Sequence, residues 1–175
     1  MKLPNDYPFS EMSPKQLRES NVDRPACCRA AANVGQMGTD EPPLCRARQT
    51  EREAYRFTWT SSFGEALVHI ASNGDTVSLR SYLFRSRLRF RVPSPFLALA
   101  PDDWDKLQCA VKASDFWALE ARDERLGLDG AWWLIEGRRG DVYHSVHRWS
   151  PGGAVRDLGH LFALAGSPLT DIELH

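Results

Sequence analysis

Two histidines near the C-terminus are the first residues whose chemistry suggests metal binding. His144 and His147 lie three positions apart in a segment with strand-like alternation. Because neighbouring side chains of a strand point to opposite faces, this spacing directs the two imidazoles away from each other, and a closed zinc site needs further ligands. The four cysteines do not form paired CxxC motifs at zinc-finger spacing. The sequence therefore predicts no metal site and no cofactor.

An acid–base set is the second chemical possibility. Asp129, Glu136 and His147 carry groups that general acid and base catalysis uses. The Asp129-Gly130 pair is more typical of a turn, however, and Glu136 of a solvated strand position. No nucleophile elbow, phosphate-binding glycine loop or zinc-protease helix occurs in the sequence. We expect no catalytic residue, and an enzyme with a site around Asp129, Glu136 and His147 is retained as an alternative function.

Arginines form the most distinctive charged pattern. A predicted strand from Arg85 to Val92 alternates apolar side chains with arginines. Charges placed in this way protect an exposed strand edge from pairing with another sheet, or they form a binding surface for an acidic protein partner. The residues predicted to bind a partner are Arg85, Arg87, Arg89, Arg91 and Trp149.

Tryptophan supplies the aromatic part of this predicted surface. Trp104, Trp117 and one of the adjacent pair Trp132 and Trp133 are expected in the core, since neighbours on a strand point to opposite sides. The other member of that pair, together with Trp149, is expected to remain exposed enough to anchor a partner. Tryptophan is over-represented in that role.

Alternation of apolar and polar residues identifies the elements that must position these side chains. It begins at Tyr55, and Asn73-Gly74 between two alternating runs predicts a hairpin with a type I′ turn. Two segments with helical spacing follow. Strands are predicted from Tyr55 to Thr60, Ala66 to Ile70, Val77 to Leu83, Arg85 to Val92, Ala131 to Gly137 and Val142 to Trp149, and helices over about 102–113 and 155–165.

The order β-β-β-β-α-β-β-α predicts an α+β fold, an antiparallel sheet with two helices packed on one face. The faces of the last hairpin depend on its turn. A three-residue loop places His144 on the same face as Trp132 and Leu134, whereas a two- or four-residue loop places it with Trp133 and Ile135. One residue of slip exchanges the two faces.

Composition divides the chain into two parts. Residues 1–53 hold six of the eleven prolines and predict a largely irregular N-terminal extension, followed by a single α+β domain over 54–175. The net charge of −1 gives no general attraction to nucleic acid. No apolar stretch long enough for a transmembrane segment and no signal peptide is seen, which favours a cytoplasmic location, with a periplasmic one as the alternative. In a reducing compartment the cysteines are expected to stay thiols, and a bridge from Cys45 to Cys27 or Cys28 is the alternative for an exported chain.

Four short segments carry a resemblance. They are FWxL from Phe116, GLDG from Gly127, WxxEG from Trp133 and YHxVxRWSP from Tyr143. In these segments the chain resembles a group of uncharacterised bacterial proteins with no established activity, many of which carry an export or lipoprotein signal. The resemblance implies an architecture but no active site.

These observations favour a non-enzymatic, protein-binding function. Its most concrete version is a bacterial immunity protein that neutralises a toxin, with a protein partner that has an acidic surface. An envelope-associated accessory protein, suggested by the resemblance, and an enzyme are the alternatives. The fold can distinguish an enzyme from a binding protein, because an enzyme requires a pocket in which ionisable groups converge.

Overall fold

The computed structural model of the protein describes residues 44–46, 51–62, 64–85, 90–93, 97–123, 127 and 129–166. Most of the predicted N-terminal extension lies outside these residues, and its irregular character stays a prediction. The described strands are β1 (Glu53–Ser61), β2 (Gly64–Ser72), β3 (Val77–Arg85), β4 (Phe90–Pro93), β5 (Leu97–Ala98), β6 (Trp132–Arg139) and β7 (Val142–Trp149). The described helices are α1 (Pro101–Ala113) and α2 (Gly153–Ala165), with short 3₁₀ turns at Leu44–Arg46 and Phe116–Ala118.

These strands form one antiparallel sheet in the order β4-β3-β2-β1-β6-β7, and the short strand β5 also pairs with β3. The predicted α+β fold and its order of strands and helices are confirmed. One boundary is wrong, because the predicted strand from Arg85 to Val92 is not continuous. β3 extends to Arg85, and β4 begins only at Phe90 and runs back antiparallel to it. Strand-like alternation continues through this region, so the pattern alone contains no sign of the change of strand.

The hydrophobic core lies between one face of the sheet and the two helices. Phe57 of β1 pairs with Val68 and Ile135 on its two sides, and all three side chains are buried. Leu107 and Val111 of α1 and Leu158 and Phe162 of α2 close this helix face. Of the tryptophans expected in the core, Trp133 is buried, whereas Trp104 and Trp117 are half-buried.

The hairpin between β2 and β3 is confirmed, but its predicted type I′ turn is wrong. Ser72 pairs with Val77, which leaves a loop of four residues rather than two. Gly74 has the positive φ of 107°, while Asn73 contributes its side chain: Oδ1 accepts hydrogen bonds from the backbone N–H groups of Asp75 and Thr76, both at 2.9 Å. Asparagine is therefore used here as an acceptor that closes an Asx turn.

The hairpin between β6 and β7 has a two-residue turn, which is one of the loop lengths that the sequence left open. Arg139 pairs with Val142, so the turn consists of Gly140, with φ of 56°, and Asp141. This register places His144 on the helix face and His147 on the opposite face.

The opposite face of the sheet is also largely buried, although its side chains are mainly polar. A sheet covered by helices on one side usually exposes alternating polar residues to water on the other. Here Arg56 of β1 is 3% exposed and Glu136 of β6 is fully buried. We call this surface the polar face, and among the described residues it carries Ala54, Arg56, Thr58, Thr60, Glu65, Leu67, His69, Ala71, Ser78, Arg80, Tyr82, Trp132, Leu134, Glu136, Arg138, Tyr143, Ser145, His147 and Trp149.

Candidate functional site

Charged and polar side chains line up across the polar face. The strand register sets Arg80, His69, Arg56, Glu136 and Ser145 opposite one another on five neighbouring strands. His69, Arg56, Glu136 and Ser145 are buried. Buried charges persist in proteins when they are paired and hydrogen-bonded. Each buried charge in this row therefore needs a hydrogen-bond partner or a group of opposite charge.

Glu136 lies at the centre of these pairing contacts. Its Oε2 accepts a hydrogen bond from Arg56 Nε at 2.6 Å, and the guanidinium forms an ion pair with the same oxygen. Its Oε1 accepts from Tyr143 Oη at 2.9 Å and from the backbone N–H of Leu44 at 3.1 Å. Burial, and then the neighbouring Glu136, raises the pKa of Tyr143, which keeps its hydroxyl protonated as a donor. The expectation of a solvated Glu136 is wrong, because this carboxylate organises a buried network.

A second buried ion pair lies beside the first. Arg138 Nη2 is 3.2 Å from Glu51 Oε2, and His69 Nε2 lies 3.9 Å from the same oxygen. Arg138 and His69 are both buried. The polar face thus pairs its charges between strands and with the chain that leads into β1.

The 3₁₀ turn at Leu44–Arg46 docks on this face. The side chain of Leu44 is 1% exposed and packs against Ala54, Ala71 and Tyr143. The neighbouring Cys45 is disulfide-bonded, and its partner lies outside the described residues. A segment distant in sequence therefore covers part of the polar face through one leucine and one backbone hydrogen bond.

The structure places Glu136 and His147 on the same face of neighbouring strands but does not bring Asp129 to them as an acid–base set. Asp129 is exposed in the chain before β6, whereas Glu136 and His147 are buried on the polar face. The imidazole of His147 stacks on Trp132, with ring centroids 4.4 Å apart and planes at 27°. Burial, assisted by Arg122 and Arg148, lowers the pKa of His147 to about 4, so this imidazole is neutral near pH 7.

The two histidines singled out for metal chemistry face opposite sides, as their spacing predicts. On the helix face, His144 packs against Phe116 with ring centroids 5.2 Å apart, and burial lowers its pKa. Within the described ranges, no three His, Cys, Asp or Glu side chains are grouped in a way that could hold a metal ion.

Two half-buried tryptophans and the buried His147 form a group at one end of the sheet, which we call the aromatic end. The indole of Trp149 meets Trp132 edge-on, with ring centroids 5.1 Å apart. A Cβ at Gly127 would clash with the same indole, and a Cβ at Gly130 would clash with Ser150 Oγ and lie only 3.0 Å from the indole. Trp132 and Trp149 are both half-buried. Trp149 is therefore fixed in orientation while part of its surface stays open, and its role as an anchor for a partner stays a prediction.

The predicted arginines are only partly within the described residues. Arg87 and Arg89, and the side chains of Arg85 and Arg91, lie outside them. The backbone of Arg91 in β4 pairs with Phe84 of β3, and the register continues from there across the sheet to Trp149. The connecting pairs are Phe84–Glu65, Glu65–Thr60, Thr60–Trp132 and Trp132–Trp149. Arg91 and Trp149 thus mark the two edges of the same end of the sheet.

The four segments FWxL, GLDG, WxxEG and YHxVxRWSP contact one another. Gly137 of WxxEG lies so close to Phe116 of FWxL that an added Cβ would sit 2.6 Å from Cε1 of the ring. Glu136 accepts from Tyr143 of YHxVxRWSP, and the glycines of GLDG pack on Trp149. These packing requirements account for the segments as structural features.

Sequence reasoning missed the buried charges, although one signal was present. In β2, the run ALVHIA is apolar at both odd and even positions, which is typical of a strand buried on both faces. His69 lies in that run, directly opposite Arg56.

No protein-family model, curated protein or solved structure matches this chain. None of the helices in the described part of the chain is long and apolar enough to span a membrane.

Proposed function

We propose that this protein is a non-enzymatic protein-binding module that captures its partner at the aromatic end of the sheet. The observation that carries the proposal is the half-exposed indole of Trp149, which Trp132, Gly127 and Gly130 hold in one orientation. A side chain fixed before binding loses little conformational entropy in the complex. Tryptophan is also among the residues that contribute most to protein interfaces.

One partner of ordinary size can reach both edges of this end of the sheet. The strand order places β4 and β7 five spacings apart, which is about 24 Å at about 4.8 Å for each spacing. A standard interface covers about 800 Å² on each partner, so a round one is roughly 30 Å across. The strand position of Arg91 in β4 and the tryptophan of β7 therefore fit within one contact surface, whereas Arg85 occupies a register position of the opposite face.

The arginines favour a partner with an acidic surface. Complementary charge speeds association and excludes partners of the wrong sign. The most concrete version of this function is a bacterial immunity protein that covers a toxin. The bacterial resemblance, the arginine-rich strands and the preformed aromatic end support this version.

The test is capture of a partner from the native host, followed by binding measurements with the purified partner. Trp149→Ala should weaken binding by about 2 kcal/mol, or roughly thirtyfold in Kd. Arg87→Glu combined with Arg89→Glu should also weaken it while leaving the melting temperature nearly unchanged. Val142→Ser is the matched control, because Val142 is an exposed apolar residue at the other end of β7.

Binding that is unchanged in both the tryptophan and the arginine variants would rule out this surface. A toxin encoded beside this gene, with growth rescued by the wild-type protein and not by Trp149→Ala, would support the immunity version directly.

An envelope-associated accessory protein is the second candidate, and one observation favours it. Cys45 is disulfide-bonded, and disulfides persist mainly in oxidising compartments such as the periplasm. Labelling of free thiols in intact cells, before and after reduction, separates the two locations. A Cys45 thiol that is labelled without reduction would speak against this candidate.

A further inference from the structure

A cleft opens on the helix side of the molecule, far from the aromatic end. It has a volume of about 340 Å³ and lies where the C-terminal half of α1 and the Phe116–Ala118 turn meet the end of β6. β6 itself runs from Trp132 at the aromatic end to Arg139 at the cleft, a distance of about 24 Å at about 3.4 Å for each residue. The two sites are therefore separate.

Arg139 is fixed in the wall of this cleft. Its Nε and Nη2 donate to Oε1 of Glu53 at 3.0 and 2.7 Å, and Nη2 also lies 3.3 Å from Oε1 of Gln108. The guanidinium carbon is 5.4 Å from the ring centroid of Trp117. The hydrogen bond to Glu53 raises the pKa of Arg139, which keeps the group cationic. The side chain is 53% exposed, and Nη1 makes no hydrogen bond to any residue within the described ranges.

The cations that a ligand can reach in the cleft are Lys112 and the Nη1 side of Arg139, whose other side is paired with Glu53. Lys112 adds a second, exposed cation, whereas Asp115 is the one acid among the described lining residues. Guanidinium groups held in place by other hydrogen bonds are well suited to a planar carboxylate.

The remaining wall is apolar and largely aromatic. Phe116 and Trp117 meet edge-on with ring centroids 5.3 Å apart, and Val111 lies beside them. Phe116 and Val111 are buried, so the half-buried Trp117 offers the ring surface that a flat ligand can meet by offset or edge-on contact. The volume is at the lower end of the range for small-molecule sites, which limits the ligand to a small one.

We propose that this cleft binds a small aromatic monocarboxylate, with the carboxylate on Arg139 and Lys112 and the ring against Trp117. This site is independent of protein capture at the aromatic end. A ligand here can be found or excluded whether or not a protein partner exists.

Benzoate is the probe, and binding is followed by tryptophan emission and by amide chemical shifts of the full-length protein. Acetate supplies the charge without the ring, and benzamide supplies the ring without the charge. Benzoate should bind at least about tenfold more tightly than either, because each lacks one of the two interactions. Arg139→Gln should weaken benzoate binding by about tenfold. Arg156→Gln on α2, whose described side-chain partner is His160, is the matched control and should leave it unchanged.

Two further measurements keep the test clear of folding effects. Lys112→Glu leaves the contacts between Arg139 and Glu53 intact and should abolish most of the binding. Cys109 is an exposed free thiol in the cleft wall, so saturating benzoate should slow its alkylation, measured on the Cys109 peptide by mass spectrometry. Equal affinity for benzoate and benzamide, or alkylation of Cys109 at an unchanged rate, would overturn the proposal.

Discussion

The two faces of the sheet are buried to a similar degree but are filled in opposite ways. On the helix face, Phe57 of β1 and Ile135 of β6 belong to an apolar core. Arg56 precedes Phe57 on β1, and Glu136 follows Ile135 on β6. These two side chains form a buried ion pair on the polar face. A register slip of one residue would exchange these two sets. The register is therefore specified twice, once by apolar volume and once by charge.

The difference teaches how each face responds to damage. An apolar core loses stability in proportion to the surface and volume removed. A buried ion pair adds little net stability, yet removing one partner leaves a buried charge without compensation. We therefore expect the helix face to tolerate graded change and the polar face to depend on complete pairing.

Glu136→Leu should give the largest effect on the polar face. It leaves Arg56 buried without its carboxylate and removes the acceptor of Tyr143 and of the Leu44 N–H. We expect the free energy of unfolding to fall by about 4 kcal/mol. Urea unfolding followed by far-UV circular dichroism measures this loss.

The double variant Arg56→Leu with Glu136→Leu sharpens the test. Because the uncompensated charge of Arg56 is then absent, the double variant should be more stable than Glu136→Leu by about 2 kcal/mol, but it should stay below the wild type because Tyr143 and the Leu44 N–H still lack their acceptor. Asp157→Asn, at an exposed position of α2, serves as the control for loss of a carboxylate. If the double variant were less stable than Glu136→Leu alone, the ion pair would not be the reason for the loss.

Sequence patterns were sufficient for the helix face. Alternation in Tyr55, Phe57 and Trp59 and helical spacing in Leu107 and Val111 depend on local periods, and these residues form the core as expected. The polar face was not predictable in the same way. Arg56 reads as solvent-facing in any local window, and its partner Glu136 lies on a strand 80 positions away.

Long-range contacts also explain two features that the sequence did not predict, the burial near Glu136 and the faces of His144 and His147. Burial near Glu136 involves Leu44, which is 92 positions distant and precedes the first strand. The faces of His144 and His147 depended on the length of one turn, which the sequence left open until Arg139 was seen to pair with Val142. Periodicity thus predicts which residues share a face, but not what covers that face.

Gly159→Ala tests the helix face. A Cβ at this position would clash with the ring of Trp133, so α2 would have to move away from the sheet. We expect a loss of about 2 kcal/mol by overpacking, although alanine is the better helix former. Gly152→Ala is the control, since a Cβ there meets nothing within 4 Å. Equal melting temperatures for the two variants would show that α2 does not depend on close approach at Gly159.

His147 tests the polar face through pH. Burial, with smaller contributions from Arg122 and Arg148, lowers the pKa of its imidazole from 6.5 to about 4. The unfolded chain therefore takes up this proton more readily than the folded protein does. Stability is fully present above about pH 6.5 and falls as the pH decreases through the window from about 6.5 to about 4. We expect a loss of about 2 kcal/mol, after reducing the full linkage value for partial solvent access.

The measurement compares urea unfolding of the wild type and His147→Gln at several pH values between about 4 and 7. Other groups also bind protons in acid, so both proteins lose stability for reasons unrelated to His147. Only the difference between the two curves reports the imidazole. That difference should change by about 2 kcal/mol across the window, with the variant the less acid-sensitive protein. Parallel curves would mean that His147 gains its proton as easily in the folded protein as in the unfolded chain, which is incompatible with an imidazole buried against Trp132.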